Sequence, residues 1–409
     1  MSSAAWRVVR GMVLVVAATA GIAFAAPRVP SNDDEIVETL PLVAGWSRNE
    51  RGLRQALARS PRDERVAIAA ARAYLELARA QGDARYAGYA MGALAAWEPA
   101  AAATTPPDVL VMRATVAQFL HDFDGAEASL KSALARQPSH AQAWITLATI
   151  LRVRGRYAES DDACRALGRA GPALYASACL AENAGLRGDH RAARDALQTL
   201  LRQPQLQDAG QGATRQWLLT TVAEVEELAG RPAAAEAAYR EALGIERTGY
   251  DVLAYSDFLI SQNRAGEVPA LLKAEARSDA VLLRLAIAAE RQVRRPSTSP
   301  SAASSVSKPD ASARRDADEL QARFQASAER PGAAALHARE QAMFALDVQG
   351  DAARALALAR LNVQLQREPV DLLVLARAAA AANDDAARRE VKALMQQIGL
   401  RDARIAALL

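Results

Sequence analysis
The chain is short of cysteine, aromatics, lysine and histidine, and each shortage removes a class of function. Two cysteines in 409 residues, Cys164 and Cys179, are too few for a disulfide scaffold or a thiolate metal site. The four histidines, His121, His140, His190 and His337, stand apart, with no His, Cys or carboxylate partner at metal-ligand spacing. Phe, Trp and Tyr make up 5% of the residues, which argues against a base-stacking surface. Lysine occurs only at positions 131, 273, 308 and 392, so arginine carries nearly all of the positive charge. Net charge is +3, from 50 basic and 47 acidic residues, and gives no reason to expect nucleic acid. No serine sits in a Gly-x-Ser-x-Gly elbow. Gly210-Gln211-Gly212 lacks the third glycine, or the Lys-Ser/Thr ending, of a phosphate loop. Nothing here predicts catalysis, a cofactor or a metal.

What is abundant is alanine, leucine and arginine, a helical composition. The pattern is sharpest from Pro107 to Pro172. Pro138 and Pro172 lie 34 residues apart, as do Leu110 and Trp144. Ala114, Phe123, Ala126, Leu130 and Ala133 precede the first proline, and Ala148, Tyr157, Ser160, Cys164 and Leu167 precede the second at the same offsets. Each segment carries two runs of helical periodicity with a break between, Arg154-Gly155-Arg156 in the second. Small residues mark close helix crossings, large ones fill the space between layers, and the proline stops the second helix. A fixed period of this length marks a stacked-repeat protein.

The two segments resemble the tetratricopeptide-repeat (TPR) family through Trp144, Leu147, Ala148, Gly155, Tyr157 and Pro172. Ser160 and Leu167, where that family prefers alanine, and Cys164, where it prefers an aromatic, are mild departures. The resemblance implies an all-α, right-handed superhelical solenoid of helix-turn-helix repeats. It implies a protein or peptide partner and no enzymatic activity. In that fold the first helix of each repeat lines a concave groove. The family's groove positions fall on Val111, Thr115, Gln118 and Phe119, then on Gln142, Ile145, Thr149 and Arg152. They continue with Tyr175 and Glu182, then Trp217, Thr220, Glu224 and Glu227. The carboxylate-gripping Lys/Asn/Arg clamp of some family members is absent. Adjacent carboxylates such as Glu226-Glu227 are expected on a solvated face. Cys164 and Cys179 fall on neighbouring helices, which leaves open a disulfide or two small buried side chains.

The remaining segments extend this frame. Residues 1–25 read as an export signal: Arg7 and Arg10 precede the uncharged run Gly11–Ala25, and Ala23-Phe24-Ala25 offers small residues for cleavage. The run is short for a membrane span of about 20 residues. A periplasmic protein is therefore expected, with an uncleaved inner-membrane anchor as the alternative. Residues 26–106 read as an extension and a degenerate repeat, and 107–295 as the array core, interrupted by a polar loop at Gln203–Gly212. The segment 296–313 holds three prolines and seven serines in 18 residues and reads as a disordered loop. Residues 314–409 read as further repeats ending in a cap. The expected role is a scaffold for another cell-envelope protein, in assembly or export. A carbohydrate-binding or enzymatic accessory on the same frame is the alternative.

The leader has a direct test. N-terminal sequencing of the mature protein should begin at Ala26, whereas full-length protein recovered solely from the membrane would contradict export.

Overall fold
A computed structural model describes residues 46–81, 85–98, 104–293, 311–328 and 337–409. The export signal and most of the 296–313 segment lie outside the described residues. Ala311–Ala313, expected in the loop, begin a helix instead. Residues Leu53–Leu409 form one compact unit. Among the described residues there is no strand.

Among the described residues, nine helix pairs follow α1 (Trp46–Arg59) in chain order. They are α2 (Glu64–Gln81) with α3 (Arg85–Gly92), α4 (Pro107–Phe119) with α5 (Phe123–Arg136), and α6 (Ala141–Val153) with α7 (Tyr157–Ala170). Next come α8 (Ala173–Leu186) with α9 (His190–Leu201), α10 (Gly212–Leu228) with α11 (Pro232–Ile245), and α12 (Gly249–Ser261) with the short α13 (Val268–Leu272). The last are α14 (Asp279–Val293) with α15 (Ala311–Ala328), α16 (Ala338–Phe344) with α17 (Ala352–Leu365), and α18 (Pro369–Ala381) with α19 (Asp385–Ile398). A final turn, α20 (Ala403–Ala406), follows. Each pair packs on the next, giving the expected TPR-like helical solenoid. Helices α14 and α15 pair across the Ser/Pro-rich insertion, tied by Arg277 to Asp316 (2.8 Å) and Arg323 to Asp279 (2.8 Å).

The repeat is built from local rules. Proline occupies the first turn of α4, α11 and α18, where its missing N–H costs nothing. Asp122, Thr248, Asp351 and Asp384 accept the orphan amides at the starts of their helices. First helices end in a left-handed residue at His121, Gly155, Gly188, Gly230, Asn263, Gly350 and Asn383. Glycine and asparagine tolerate that backbone, whereas His121 bears a cost of about 1–2 kcal/mol. In six of these turns the next amide closes a bond to the carbonyl five residues back, as Arg156 does to Leu151 (2.8 Å) and Asp189 to Ala184 (3.0 Å). The seventh is one residue longer: Asp351 reaches Ala345 (2.8 Å), and a π turn over Ala345–Gln349 takes up the extra residue.

The departures from the TPR pattern have physical accounts. Ser160 lies against Ala148, both fully buried, and donates its hydroxyl to the Ala148 carbonyl (2.8 Å). Cys164 is bonded to Cys179, with Cα atoms 5.8 Å apart, so α7 is covalently tied to α8. Gln203–Gly212 is not the plain polar loop expected. It forms two short 3-10 turns, Pro204–Gln207 and Ala209–Gln211, pinned by fully buried Leu206, and Gly212 already belongs to α10.

The C-terminal segment does more than cap an end. It returns to the middle of the array and runs along consecutive left-handed turns. The amide of Arg367 donates to the carbonyl of Val153, the last residue of α6 (2.7 Å). The amide of Arg401 donates to Leu186, the last residue of α8 (2.8 Å). Arg404 pairs with Glu227 near the end of α10 (2.9 Å). Leu400 and Ile405 are fully buried in one cluster with Tyr157, Leu186 and Leu228. Gly155 abuts Ile398 and Arg367, Gly188 abuts Arg401, and Gly230 abuts Ala403. A helix leaves its last carbonyls without intrahelical partners, and here the returning chain supplies amides to those of Val153 and Leu186.

Gly188→Ala tests this contact. An added Cβ would lie 2.9 Å from Arg401 Cγ on a backbone at φ +101°. The variant should lose about 1–2 kcal/mol from backbone strain alone, and more from the clash, seen as a lower melting temperature. Gly244→Ala, in open space near the end of α11, should be neutral or stabilising. Equal melting temperatures for Gly188→Ala and wild type would contradict the contact.

Candidate binding surface
First helices α4, α6, α8 and α10 carry the expected groove residues, and the structure separates those that line a surface from those that do not. Val111 is buried in the core. Thr220 is also buried, its hydroxyl donating to Asp251 (2.6 Å). Both are corrections: their register turns them inward. Thr115 and Thr149 are half-buried, with hydroxyls donating one turn back to Val111 (2.9 Å) and Ile145 (3.0 Å). Gln118, Phe119 and Ile145 are half-buried and Gln142 is exposed.

Toward α8, α10 and α12 the side chains converge. Tyr175 and Trp217 are half-buried and meet with ring centroids 6.0 Å apart. Arg152 pairs with Glu182 at 3.0 Å, with both side chains under one-fifth exposed. Tyr250, a first-turn residue of α12, donates its hydroxyl to Glu224 (2.5 Å) and is 65% exposed as a residue. The Tyr250 hydroxyl is held well above its ordinary pKa, first by the Glu224 charge and then by desolvation. The Glu224 carboxyl is pushed up to about 8. Desolvation is the main cause, and the charges of Glu182, Glu227 and Glu368 add to it, while the Tyr250 bond opposes it.

Glu368 comes from the loop before α18, so the returning repeats face this surface. Its charge is felt by Glu182, Glu224, Tyr157 and Tyr250. Arg339 holds Glu368 (2.6 Å) and Asp371 (2.6 Å). Four carboxyls, Glu182, Glu224, Glu368 and Asp371, thus share the region with two guanidiniums, Arg152 and Arg339. Asp371 is fully buried and Glu224 is neutral below about pH 8, so the exposed chemistry of the region is mainly that of Tyr175, Trp217 and Tyr250.

One expected groove residue, Glu227, serves the fold instead, and its neighbour Glu226 is buried. Glu227 accepts from the Tyr239 hydroxyl (2.8 Å) and pairs with Arg404, which makes it an anchor for the C-terminal segment. Glu226, expected on a solvated face, is 1% exposed and held by Arg231. Sequence reasoning missed Tyr250 and Glu368. Tyr250 lies 33 residues after Trp217, one short of the 34-residue period, so the groove register pointed past it; Glu368 lies near in space only because the chain returns. Among the described residues no three His, Cys, Asp or Glu side chains gather as a metal site, and no helix is long and apolar enough to cross a membrane.

No protein-family model matches the chain, and no curated protein matches it. Solved structures do. A tetratricopeptide repeat protein from Parabacteroides merdae is similar at 15% identity, over 55% of this chain and 83% of that one, with a TM-score of 0.41. The TPR domain of P58(IPK) is similar at 16% identity, over 83% of this chain and 96% of that one, with a TM-score of 0.22. Yeast Tom70 is similar at 11% identity, over 88% of each chain, with a TM-score of 0.26.

The pH dependence of stability checks the environment of Glu224. A carboxyl whose folded pKa lies above its unfolded value favours folding in its neutral form. The folded state therefore loses stability as pH rises from the ordinary 4.5 through about 8. Glu224→Gln should melt higher than wild type at pH 9 and equal to it near pH 4. A difference that does not change with pH would show that Glu224 is not desolvated.

Proposed function
We propose that the chain is an exported, periplasmic scaffold without enzymatic activity, which grips a segment of another cell-envelope protein for assembly or export. The observation that carries this reading is Tyr250, 65% exposed and bonded to Glu224 on α10, the helix that also carries Trp217 of the Tyr175–Trp217 pair. Aromatic side chains around a concave, water-poor surface are the usual anchors of a protein interface. A partner's lysine or arginine can lay its ammonium or guanidinium on an aromatic face of this kind. Export is supported by the leader-like N-terminus and by the Cys164–Cys179 bond, since disulfides persist in oxidising compartments. The partner is a protein or peptide rather than nucleic acid, and a membrane enters only if the leader stays attached.

Crosslinking in intact cells, followed by identification of the captured protein, supplies the partner for the test. Trp217→Ala and Tyr250→Ala should each weaken its binding by more than about 1 kcal/mol. Glu159→Ala, exposed on α7, should leave binding unchanged. Helical content is measured in every variant, because Trp217 also packs on the core. Folded variants of both aromatics that bind at wild-type strength would overturn the reading.

A further inference from the structure
A second site lies at the far end of the row of turns. A cleft of about 560 Å³ opens between the turn after α12, the end of α14, the π turn after α16, and α18. That volume is within the roughly 300–1,000 Å³ typical of small-ligand sites. Its apolar wall includes Ile260, Leu346, Ala380 and Leu408, and none of its lining residues belongs to the candidate binding surface.

The charged side chains that line it are Arg291, Arg377 and Asp347. Arg291 donates Nη2 to Asp347 Oδ1 at 2.8 Å, and Arg377 donates Nη2 to the same oxygen at 2.5 Å. Asp347 is 4% exposed, whereas the arginine side chains remain 39% and 27% exposed. A guanidinium has five N–H donors, and each arginine spends one here. Neither has another protein partner among the described residues. Nor are they needed to cap helix ends. The last carbonyls of α12 take the turn amides of Asn263 (3.2 Å) and Arg264 (2.8 Å), and those of α18 take Asn383 (3.2 Å) and Asp384 (3.0 Å). One buried carboxylate thus fixes two guanidiniums at the edge of an apolar cleft and leaves one positive charge uncompensated.

We propose that this cleft binds a carboxylate borne on an apolar group, the carboxylate on the arginine pair and the apolar body on Ile260, Leu346 and Leu408. Paired guanidiniums already oriented by a common anchor are suited to two-pronged carboxylate recognition. The carboxylate can come from a peptide chain end or from a free aliphatic acid, and the two have the same chemistry at the arginines.

Titration calorimetry on the full chain decides this. The probes are N-acetyl-Ala-Leu with a free C-terminus, the same dipeptide as its amide, and octanoate. At least one acid should bind saturably, and the amide at least about tenfold more weakly than the acid, the value of a charge-assisted bond pair. A stronger dipeptide would identify a chain end as the source, and a stronger octanoate a free acid. Arg377→Gln should lower affinity by about tenfold or more, although it also loosens Asp347. Ala380→Leu fills the cleft without touching the arginine pair and should abolish binding in a folded protein. Absence of saturable binding by either acid, equal binding of acid and amide, or full binding by folded Ala380→Leu would each overturn the proposal.

Discussion

A helix that stops inside a protein leaves carbonyls that must find partners. In this chain the first helices stop in a common way, at a left-handed residue, so their ends form a regular edge. Part of the demand is met within each turn by the amide that reaches five residues back. At two of the ends distant chain adds a donor, the Arg367 amide on Val153 and the Arg401 amide on Leu186, while the Arg404 guanidinium pairs with the Glu227 carboxylate beside a third. That edge-on contact converts a one-dimensional stack, in which each repeat meets only its neighbours, into a closed arrangement. Leu400 and Ile405 bury completely against Leu186 and Leu228, so the contact is apolar as well as polar.

The same closure shapes the candidate surface. Glu182 and Glu224 stand on α8 and α10, and Glu368 reaches them only because α18 has come back. A carboxyl such as Glu224 is desolvated by that convergence rather than by depth in a core, and Tyr250, bonded to it, stays exposed as a residue. Arg152 and Glu182 neutralise each other there, which leaves the aromatics to face a partner. The disulfide joins α7 to α8 in the middle of this region and closes a chain segment of about fifteen residues, a constraint on the unfolded chain of about 3 kcal/mol in the chain-entropy account.

Much of this was legible in the residues. The 34-residue spacing of Pro138 and Pro172 placed α4 to α7, and Gly155 marked the turn between α6 and α7. The Ser/Pro-rich segment stood out in composition as a break in the array, and α14 and α15 pair across it. Cys164, a departure from the repeat pattern, made sense only with Cys179. The return of the C-terminal segment was not legible. It depends on the small rotation at each repeat interface summed over the array, and no single position encodes that sum. Glu227 illustrates the consequence: its register marked it for the groove, and the returning Arg404 claimed it for the fold. Asp347 was invisible for another reason, since the π turn that buries it breaks the repeat period by one residue.

Residue-resolved hydrogen exchange at the Arg401 amide tests the closure most directly. That amide is bonded across the sequence to Leu186, and no local helix protects it. If the returning segment is part of the folded unit, the Arg401 amide should exchange as slowly as core amides of α8, at rates limited by opening of the array. Exchange as fast as in an unstructured tail, with α8 still protected, would show that the repeats stack without closing and would contradict the account.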